Sequence, residues 1–269
     1  MNILVTGGSG YIGSVLIRKL IPYHKVTVVD LKEPVIPCSH IKADIREFNR
    51  VDADLVIHLA AIVGDPACAK EPELAREVNF DATVKLYEKS KRFIFASTCS
   101  NYGKADEMVD ENSPLNPVSL YAETKVEAEK ALKDATILRF ATAYGVSPKM
   151  RYDLTVNEFT REIVSGNELV VYGEQFWRPY CHVSDIADAI ILSMDHKGTF
   201  NVGGENYRKM DIVKIILSEF PGRVKYVERK EDPRDYRVSF ERIKTIGFRR
   251  RFDILYGIRE VAAHARALL

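Results

Sequence analysis

Short apolar runs alternate with longer segments in which apolar residues recur every three or four positions, and this alternation fills the first half of the chain. Short apolar runs are typical of buried strands, and the periodic segments are typical of amphipathic helices. The pattern predicts strands over 3–6, 25–30, 40–45, 55–59, 92–97 and 136–140, and helices over 11–21, 73–90 and 119–133. Strands that alternate with helices predict right-handed βαβ units, and therefore an α/β fold with a doubly wound parallel sheet.

The pattern is less regular in the second half of the chain. It predicts helices over 154–165, 183–194, 211–220 and 254–268, and strands over 169–172, 199–202 and 224–228. We interpret this half as a small C-terminal α/β lobe that is interleaved with the end of the sheet.

The composition narrows the class of protein. A chain of 269 residues allows one large domain, or one domain with a small appendage. The net charge of +1 argues against a general nucleic-acid binder. No apolar run approaches the roughly 18 residues of a membrane span, and Met1 leads directly into a strand, unlike a signal peptide. We therefore expect a cytoplasmic protein with neither a nucleic-acid nor a membrane partner.

The four cysteines are widely spaced and form no Cys-x-x-Cys pair. Neither a zinc site nor a disulfide framework is indicated, and no metal site is predicted.

A glycine-rich turn connects the first predicted strand to the first helix. Gly7 permits the tight turn, Gly10 lets the backbone approach a pyrophosphate, and Gly13 lets the helix pack closely against the sheet. Phosphates bound there would lie at the positive end of the helix. The turn predicts a dinucleotide site and a sheet of the Rossmann type, and an ordinary glycine turn is the alternative.

Asp30 ends the second predicted strand. A carboxylate at this place accepts hydrogen bonds from a ribose diol and repels a 2′-phosphate, which favours NAD over NADP. In one alternative, Asp30 is only an exposed aspartate at a strand end. In another, the nearby Lys32 changes the preference for NAD over NADP.

Tyr121 and Lys125 are four residues apart on a predicted helix, so their side chains share a face. A free phenol has a pKa near 10, too high for a base at neutral pH. A neighbouring ammonium and a cationic nicotinamide both stabilise the phenolate and lower that pKa. The tyrosine could then remove a hydroxyl proton while hydride leaves the same carbon. A solvated helix face is the alternative interpretation of this spacing.

A family resemblance extends over nearly the whole chain. It is carried by residues 6–13, 44–45, 58–61, 79, 97–98, 102–103, 121, 125, 138–140, 144–145 and 178–183. Together they resemble the extended short-chain dehydrogenase/reductase family, in particular its NAD-dependent nucleotide-sugar epimerase/dehydratase branch (UDP-glucose 4-epimerase-like). The resemblance implies an NAD-binding Rossmann domain over 1–145, to which 175–203 return, and a substrate-binding lobe mainly over 146–269.

The resemblance also implies roles for single residues. Tyr121 would be the base, Lys125 its partner, and Thr98 the hydroxyl residue that assists them. The implied cofactor-binding residues are Gly7, Gly10, Tyr11, Ile12, Gly13, Asp30, Asp44, Ile45, Leu59, Ala60, Ala61, Asn79 and Lys125. The implied substrate-binding residues are Thr98, Tyr121, Thr142, Asn157, Arg178 and Arg234, with Arg229 as an alternative to Arg234.

Several positions depart from the family pattern. Family dehydratases carry an Asp-Glu pair after the catalytic threonine, and here Cys99 and Ser100 stand there, which disfavours dehydration. We interpret Cys99 as a packed cysteine rather than a reactive one. Thr142 replaces an asparagine that usually contacts the sugar. Arg151 and Asn157 could reach a substrate diphosphate, although an exposed arginine at a helix start explains Arg151 equally well.

These features predict an NAD-dependent nucleotide-sugar 4-epimerase of the UDP-glucose/UDP-galactose type that acts through a transient 4-keto sugar. Tyr236 lies where the family gates N-acetyl sugars and favours an unsubstituted hexose. The alternatives are a reductase or dehydratase of the same family, and a non-catalytic NAD-binding sensor. We expect a homodimer that pairs through the helices of 73–90 and 119–133, as in this family.

Overall fold

The computed structural model describes residues 1–268. The strands are β1 (Asn2–Thr6), β2 (Lys25–Asp30), β3 (Ser39–Lys42), β4 (Leu55–His58), β5 (Phe93–Thr98), β6 (Met108–Val109), β7 (Thr136–Phe140), β8 (Thr142–Tyr144), β9 (Glu168–Tyr172), β10 (Trp177–His182), β11 (Gly198–Val202), β12 (Glu205–Arg208), β13 (Arg223–Val227) and β14 (Arg237–Val238). The α-helices are α1 (Tyr11–Leu20), α2 (Asp65–Lys70), α3 (Pro72–Arg76), α4 (Ala82–Glu88), α5 (Leu120–Ala131), α6 (Thr155–Val164), α7 (Val183–Leu192), α8 (Lys209–Glu219), α9 (Glu241–Lys244) and α10 (Ile254–Arg266).

Seven parallel strands form the central sheet, in the order β11-β7-β5-β4-β1-β2-β3. The chain begins in the interior of the sheet with β1, proceeds outward through β2 and β3, and then crosses to β4 on the other side of β1. Connections therefore diverge at the carboxyl ends of β1 and β4. Such a switch point opens a crevice above the sheet. The predicted α/β fold with a doubly wound parallel sheet is confirmed.

Both faces of the sheet are buried under helices. Ile3 and Val5 pack on one face with α1 and α7, and Leu4 packs on the other face with α4 and α5. Successive side chains of a strand point to opposite faces. Because neither face meets water, β1 is a continuous apolar run rather than an alternating one.

A smaller lobe is attached at the carboxyl end of the sheet. It contains the three-stranded sheet β12-β10-β8 and the parallel pair β9–β13. Helices α6, α8 and α10 enclose a third apolar core around Val156, Ile212 and Ile258. Strand β11 returns to the edge of the central sheet beside β7. Strand β10 lies in the three-stranded sheet instead. The predicted domain division, with 175–203 returning to the first domain, stays a prediction.

The predicted helix over 73–90 is interrupted in the structure. Helix α3 has Pro72 at its start, and residues Glu77–Asp81 form a π-helical turn before α4. A π-helical turn inserts a residue into the helical ladder and leaves little trace in the apolar periodicity. No helix within residues 1–268 is long and apolar enough to span a membrane.

Candidate active site

A cavity of about 960 Å³ lies above the carboxyl ends of the central strands and extends towards the smaller lobe. Most of the residues predicted from the sequence line this cavity. They are Gly7, Gly10, Tyr11, Ile12, Gly13, Asp30, Asp44, Ile45, Leu59, Ala60, Ala61, Thr98, Tyr121, Lys125, Thr142 and Arg234. The tertiary structure therefore gathers segments more than two hundred residues apart into one site.

The turn between β1 and α1 needs its glycines. Gly7 has a φ of 70°, and a β-carbon there would lie 2.6 Å from the backbone nitrogen of Ala60. A β-carbon on Gly13 would lie 2.4 Å from the carbonyl oxygen of Gly7. The absence of side chains keeps the start of α1 close to the sheet, and leaves its N-terminal amides at the cavity.

Asp30 is held in place at the end of β2. Its carboxylate accepts hydrogen bonds from the backbone N–H groups of Ser9 (3.1 Å) and Lys32 (3.0 Å). The carboxylate is thus tied to the glycine turn and faces the cavity. This position suits the two hydroxyls of a ribose.

A three-residue ion-pair chain lies beside the loop after β3. Arg46 contacts Asp44 at 2.8 Å and Glu77 at 2.7 Å. The hydrogen bonds from Arg46 lower the pKa of Asp44. Arg46 lines the cavity next to Asp44 and Ile45, and nothing in the sequence pattern singled it out.

Tyr121 and Lys125 lie on the first two turns of α5, which Ser119 caps by accepting a hydrogen bond from the Ala122 N–H. The Lys125 ammonium is buried, donates to the carbonyl oxygen of Ala96 at 2.8 Å, and lies 4.6 Å from the centre of the Phe95 ring. Its nitrogen is 5.9 Å from the centre of the Tyr121 ring. The two side chains therefore share the helix face that the spacing predicted.

Burial dominates the protonation of this pair. It lowers the pKa of Lys125 to about 7 and raises the pKa of the half-buried Tyr121 above its ordinary value. The Arg151 guanidinium opposes the rise at Tyr121. Tyr121 therefore stays protonated at neutral pH, because the charges of the protein do not outweigh the effect of burial. The lowered pKa that the sequence led us to expect needs a further cation in the cavity.

Thr98 ends β5 at the start of a 3₁₀ turn over Cys99–Tyr102. Its hydroxyl oxygen accepts a hydrogen bond from the Ser100 N–H at 3.1 Å, so the hydroxyl hydrogen stays available to the cavity. Cys99 points away: it is fully buried, its thiol lies 3.2 Å from the carbonyl oxygen of Arg139, and burial raises its pKa. A protonated, enclosed thiol is in line with a packed cysteine.

Two predicted asparagines lie behind the cavity wall and are bonded to the protein. Asn79 accepts from the Ile62 N–H at 2.8 Å and donates to the Ile62 carbonyl at 3.0 Å, which braces the loop after β4. Asn157 accepts from the Gly145 N–H at 2.9 Å and donates to the Tyr11 hydroxyl at 3.1 Å. Their direct contacts with cofactor or substrate stay predictions.

Arg178 also lies outside the residues that line the cavity. Its guanidinium forms a buried ion pair with Asp232 at 2.7 Å and donates to the carbonyl oxygens of Trp177 and Arg234. Arg234 does face the cavity, where it contacts Asp65 at 2.9 Å. The substrate role of Arg178 stays a prediction, because its donors are engaged within the protein.

The cavity wall also contains two aspartates, Asp65 and Asp153, that the sequence did not assign. Asp153 forms an ion pair with Arg151 at the cavity wall, and Tyr236 also lines the cavity. Asp65 comes from the start of α2, 169 positions before its partner Arg234. Such a pair has no local sequence signal, because neither charge belongs to a periodic pattern or a motif. Among residues 1–268, no group of three or more His, Cys, Asp or Glu side chains is arranged to hold a metal ion.

The sequence model of the NAD dependent epimerase/dehydratase family matches residues 3–203, which contain the glycine turn, Thr98, Tyr121 and Lys125. The chain belongs to this family. A putative UDP-glucose 4-epimerase of Methanocaldococcus jannaschii is 26% identical to it, over 96% of each chain. A UDP-N-acetyl-alpha-D-glucosaminuronate decarboxylase of Bacillus cytotoxicus is 30% identical, over 78% of this chain and 77% of that protein.

A solved structure has the same architecture over the full length of both chains. It is the UDP-glucose 4-epimerase of Thermus thermophilus in complex with NAD, with 26% identity and a TM-score of 0.88. The Rossmann-type fold, the membership of the family and NAD as cofactor are thereby confirmed. The protein is an enzyme of the NAD-dependent epimerase/dehydratase family.

The residues of the cavity fit NAD. The glycine turn leaves room for a pyrophosphate at the start of α1, and the carboxylate of Asp30 is placed for a ribose diol. A cationic nicotinamide beside Tyr121 would supply the charge that lowers the pKa of this phenol.

Proposed function

We propose that the enzyme is a nucleotide-sugar 4-epimerase of the UDP-glucose/UDP-galactose type. The observation that carries the proposal is the convergence of Tyr121, Lys125 and Thr98 in one cavity that continues beyond them to two arginines, Arg151 and Arg234. The glycine turn would hold the cofactor at one end, and the arginines would hold an anionic nucleotide at the other. The reacting sugar would then lie between them, beside Tyr121.

The side chains support reversible oxidation of a sugar hydroxyl. Bound NAD supplies the acceptor and donor of hydride. Tyr121 removes the proton of the 4-hydroxyl as general base and returns it later. Thr98 donates a hydrogen bond to the reacting oxygen, because its own oxygen already accepts from Ser100. Lys125, which donates a hydrogen bond to the Ala96 carbonyl oxygen, would bind the ribose of the nicotinamide nucleotide.

Dehydration would need an acid that protonates a leaving hydroxyl, and the substrate side of the cavity offers poor ones. Asp65 and Asp153 are the carboxylates there, and each is paired with an arginine. The hydrogen bonds from Arg151 lower the pKa of Asp153, so it stays ionised at neutral pH. Cys99 and Ser100 supply no carboxylate after Thr98. These points favour epimerisation over the dehydratase alternative, and a reductase remains the second candidate because the same triad would serve it.

The substrate's diphosphate would contact Arg234 and Arg151. Arg234 is partly exposed in the cavity, whereas the partner of Arg178, Asp232, neutralises that arginine in the interior. Tyr236 is almost fully buried at the cavity wall between Arg234 and Ser100, its hydroxyl 3.5 Å from the Ser100 oxygen. A bulky ring at this place favours an unsubstituted hexose over an N-acetylated one.

Incubation of the purified protein with a panel of nucleotide sugars tests the proposal. We expect interconversion of one 4-epimer pair, UDP-glucose and UDP-galactose, with NAD retained through turnover and no external hydride acceptor required. Chromatographic separation of the products gives the readout. Formation of a released 4-keto product would instead identify a dehydratase, and dependence on added NADH would identify a reductase. The homodimer and the cytoplasmic location stay predictions.

A further inference from the structure

A buried polar cluster lies beneath the turn that carries Thr98, behind the catalytic residues. At its centre is Glu129, whose carboxylate forms an ion pair with Arg139 at 2.6 Å. The side chains of Glu129 and Arg139 are only 6% and 7% exposed. Neither residue lines the cavity, so the mechanism described above does not use them.

The carboxylate of Glu129 reaches both ends of the Thr98 turn. Its Oε1 atom accepts from the Ser97 hydroxyl at 2.5 Å and from the Asn101 side-chain amide at 2.8 Å. Ser97 immediately precedes Thr98, and Asn101 lies in the 3₁₀ turn that follows it. One carboxylate is therefore hydrogen-bonded to residues on both sides of Thr98.

The same carboxylate belongs to the helix that carries the base. Tyr121, Lys125 and Glu129 follow one another at intervals of four residues along α5, so they lie on one helix face. Lys125 contacts the Ala96 carbonyl of β5, and Glu129 contacts Ser97 and Asn101. Glu129 also joins β7 through Arg139, whose guanidinium donates to the Tyr102 hydroxyl at 2.9 Å.

Stability by itself is a weak reason to bury such a pair. Well-packed apolar side chains of similar volume are often as stable as a buried ion pair. The directed hydrogen bonds of a carboxylate, in contrast, fix the distance and orientation between the elements that they join. Here the joined elements carry Thr98 on one side and Tyr121 with Lys125 on the other.

We propose that Glu129 is a positioning residue of the active site, whose carboxylate fixes the Thr98 turn against the helix face of Tyr121 and Lys125. The inference rests on the proposed function in so far as Thr98 and Tyr121 act on one substrate oxygen. A displacement of about 1 Å in such a pair costs on the order of 100-fold in rate.

The variant Glu129→Gln tests this role, with Glu127→Gln as matched control. Glu127 lies two residues earlier on α5 and contacts Arg76 at the surface, where the two side chains are 39% and 49% exposed. In Glu129→Gln we expect kcat to fall about 100-fold with little change in KM or in bound NAD. The control variant should keep the wild-type kcat.

Hydrogen exchange of the backbone amides gives a second readout that is independent of turnover. In Glu129→Gln, exchange over residues 98–102 should accelerate, whereas β7 and residues 93–97 of β5 should exchange as in the wild type. A normal kcat, or faster exchange spread over the whole sheet with loss of NAD, would overturn the proposal. If the wild type turns over none of the nucleotide sugars, only the epimerase assignment is refuted. The exchange pattern then still tests whether Glu129 positions the Thr98 turn.

If Glu129→Gln does not fold, the variant Asn101→Ala tests the positioning role instead. This change keeps the Glu129–Arg139 pair and removes the link from the carboxylate to the far end of the turn. It should likewise accelerate exchange over 98–102 and lower kcat while KM stays nearly constant. An unchanged turn in a folded Asn101→Ala protein would contradict a positioning role.

Discussion

At the scale of single residues, burial decides the protonation of Tyr121 and Lys125, the pair proposed for catalysis, before any ligand acts on it. It raises the pKa of Tyr121 and lowers that of Lys125 to about 7. A tyrosine of this kind stays protonated until a cationic group arrives. In the proposed mechanism, a bound cationic nicotinamide would lower the pKa of Tyr121, which would couple catalysis to an occupied cofactor site.

The variant Tyr121→Phe should remove the base without disturbing the cofactor. We expect kcat to fall by about 10³-fold or more, because general base catalysis contributes roughly 10² to 10⁴, while the purified protein retains NAD. Steady-state kinetics and the nucleotide content of the protein are the measurements. Tyr256→Phe, at an exposed position of α10, serves as control. Near-normal turnover in Tyr121→Phe would exclude this tyrosine as the base.

Because the pKa of Lys125 is lowered by burial, we expect the free energy of unfolding of the NAD-free protein to depend on pH. The folded lysine loses its proton near pH 7, and the unfolded one does so near about 10.4. Between these values the unfolded chain binds more protons, so the free energy of unfolding rises with pH, by at most about 1.4 kcal/mol per pH unit. Below pH 7 both states are protonated and this contribution is constant.

Urea unfolding from pH 6 to pH 9 measures this dependence. Lys125→Met should lack the rise, and Lys130→Met, at an exposed position of the same helix, should keep it. The prediction fails if the Lys125→Met and wild-type curves run parallel over the whole range.

Sequence spacing was a good guide to residues that act locally and a poor guide to residues that act across the fold. Tyr121 and Lys125 share a face because a helix repeats every 3.6 residues, whereas Thr98 was assigned through the resemblance to the family. The engagement of Arg178 by Asp232 could not be predicted, because 54 residues separate them and only folding brings their charges together.

At the scale of elements, the turn between β1 and α1 is the most constrained connection of the site. Gly13→Ala would place a methyl group 2.4 Å from the backbone oxygen of Gly7, which cannot rotate away. The change should destabilise the NAD-free protein by about 1–3 kcal/mol and abolish NAD retention. Gly10→Ala meets the same oxygen at 3.2 Å, so its NAD-free protein should be nearly as stable as the wild type.

Denaturant unfolding of the two NAD-free variants separates these effects, and the NAD content of each variant is measured in parallel. Equal stabilities for Gly13→Ala and Gly10→Ala would show that close packing of α1 on the sheet does not limit this turn.

Strands β1, β2, β4 and β5 and helix α1 were predicted well because each buries apolar residues in a simple pattern. Strand β10 was missed because it reads Trp-Arg-Pro-Tyr-Cys-His, and a proline argues against a central strand. Strand β8 has only three residues and follows β7 after a single one. Their pairing is set by the partners that the lobe provides, not by their own sequence.

At the scale of the whole molecule, the site is assembled from both halves of the chain. The ion pair between Arg234 and Asp65 joins the loop before β14 to the start of α2 at the cavity. Most of the predicted cofactor-binding residues lie on or next to the central sheet, whereas Arg151 and Arg234, the cations proposed for the substrate, come from the second half. Under the proposed function the substrate would bind where the two parts meet, which is a common place for ligand sites.

Arg234→Ala and Arg178→Ala should separate binding from folding. Arg234 lies in a partly exposed pair, so its loss should cost less than about 1 kcal/mol of stability and raise KM for the nucleotide sugar tenfold or more. Arg178→Ala leaves the buried Asp232 without its closest cation and should destabilise the protein by about 3 kcal/mol. Thermal unfolding and KM are measured for both variants, and a large KM effect in a stable Arg178→Ala protein would assign the diphosphate contact to Arg178 instead.

The sequence by itself determined the parallel sheet, the dinucleotide turn and the Tyr121–Lys125 face, because each follows from a short-range period or a local backbone requirement. The tertiary structure alone decided which charged side chains face the cavity and which are enclosed within the protein. It paired Arg178 with Asp232, placed Arg234 and Arg151 in the cavity, and set Glu129 beneath the Thr98 turn. Those outcomes depend on burial and on contacts between distant segments, and these exist only once the chain is folded.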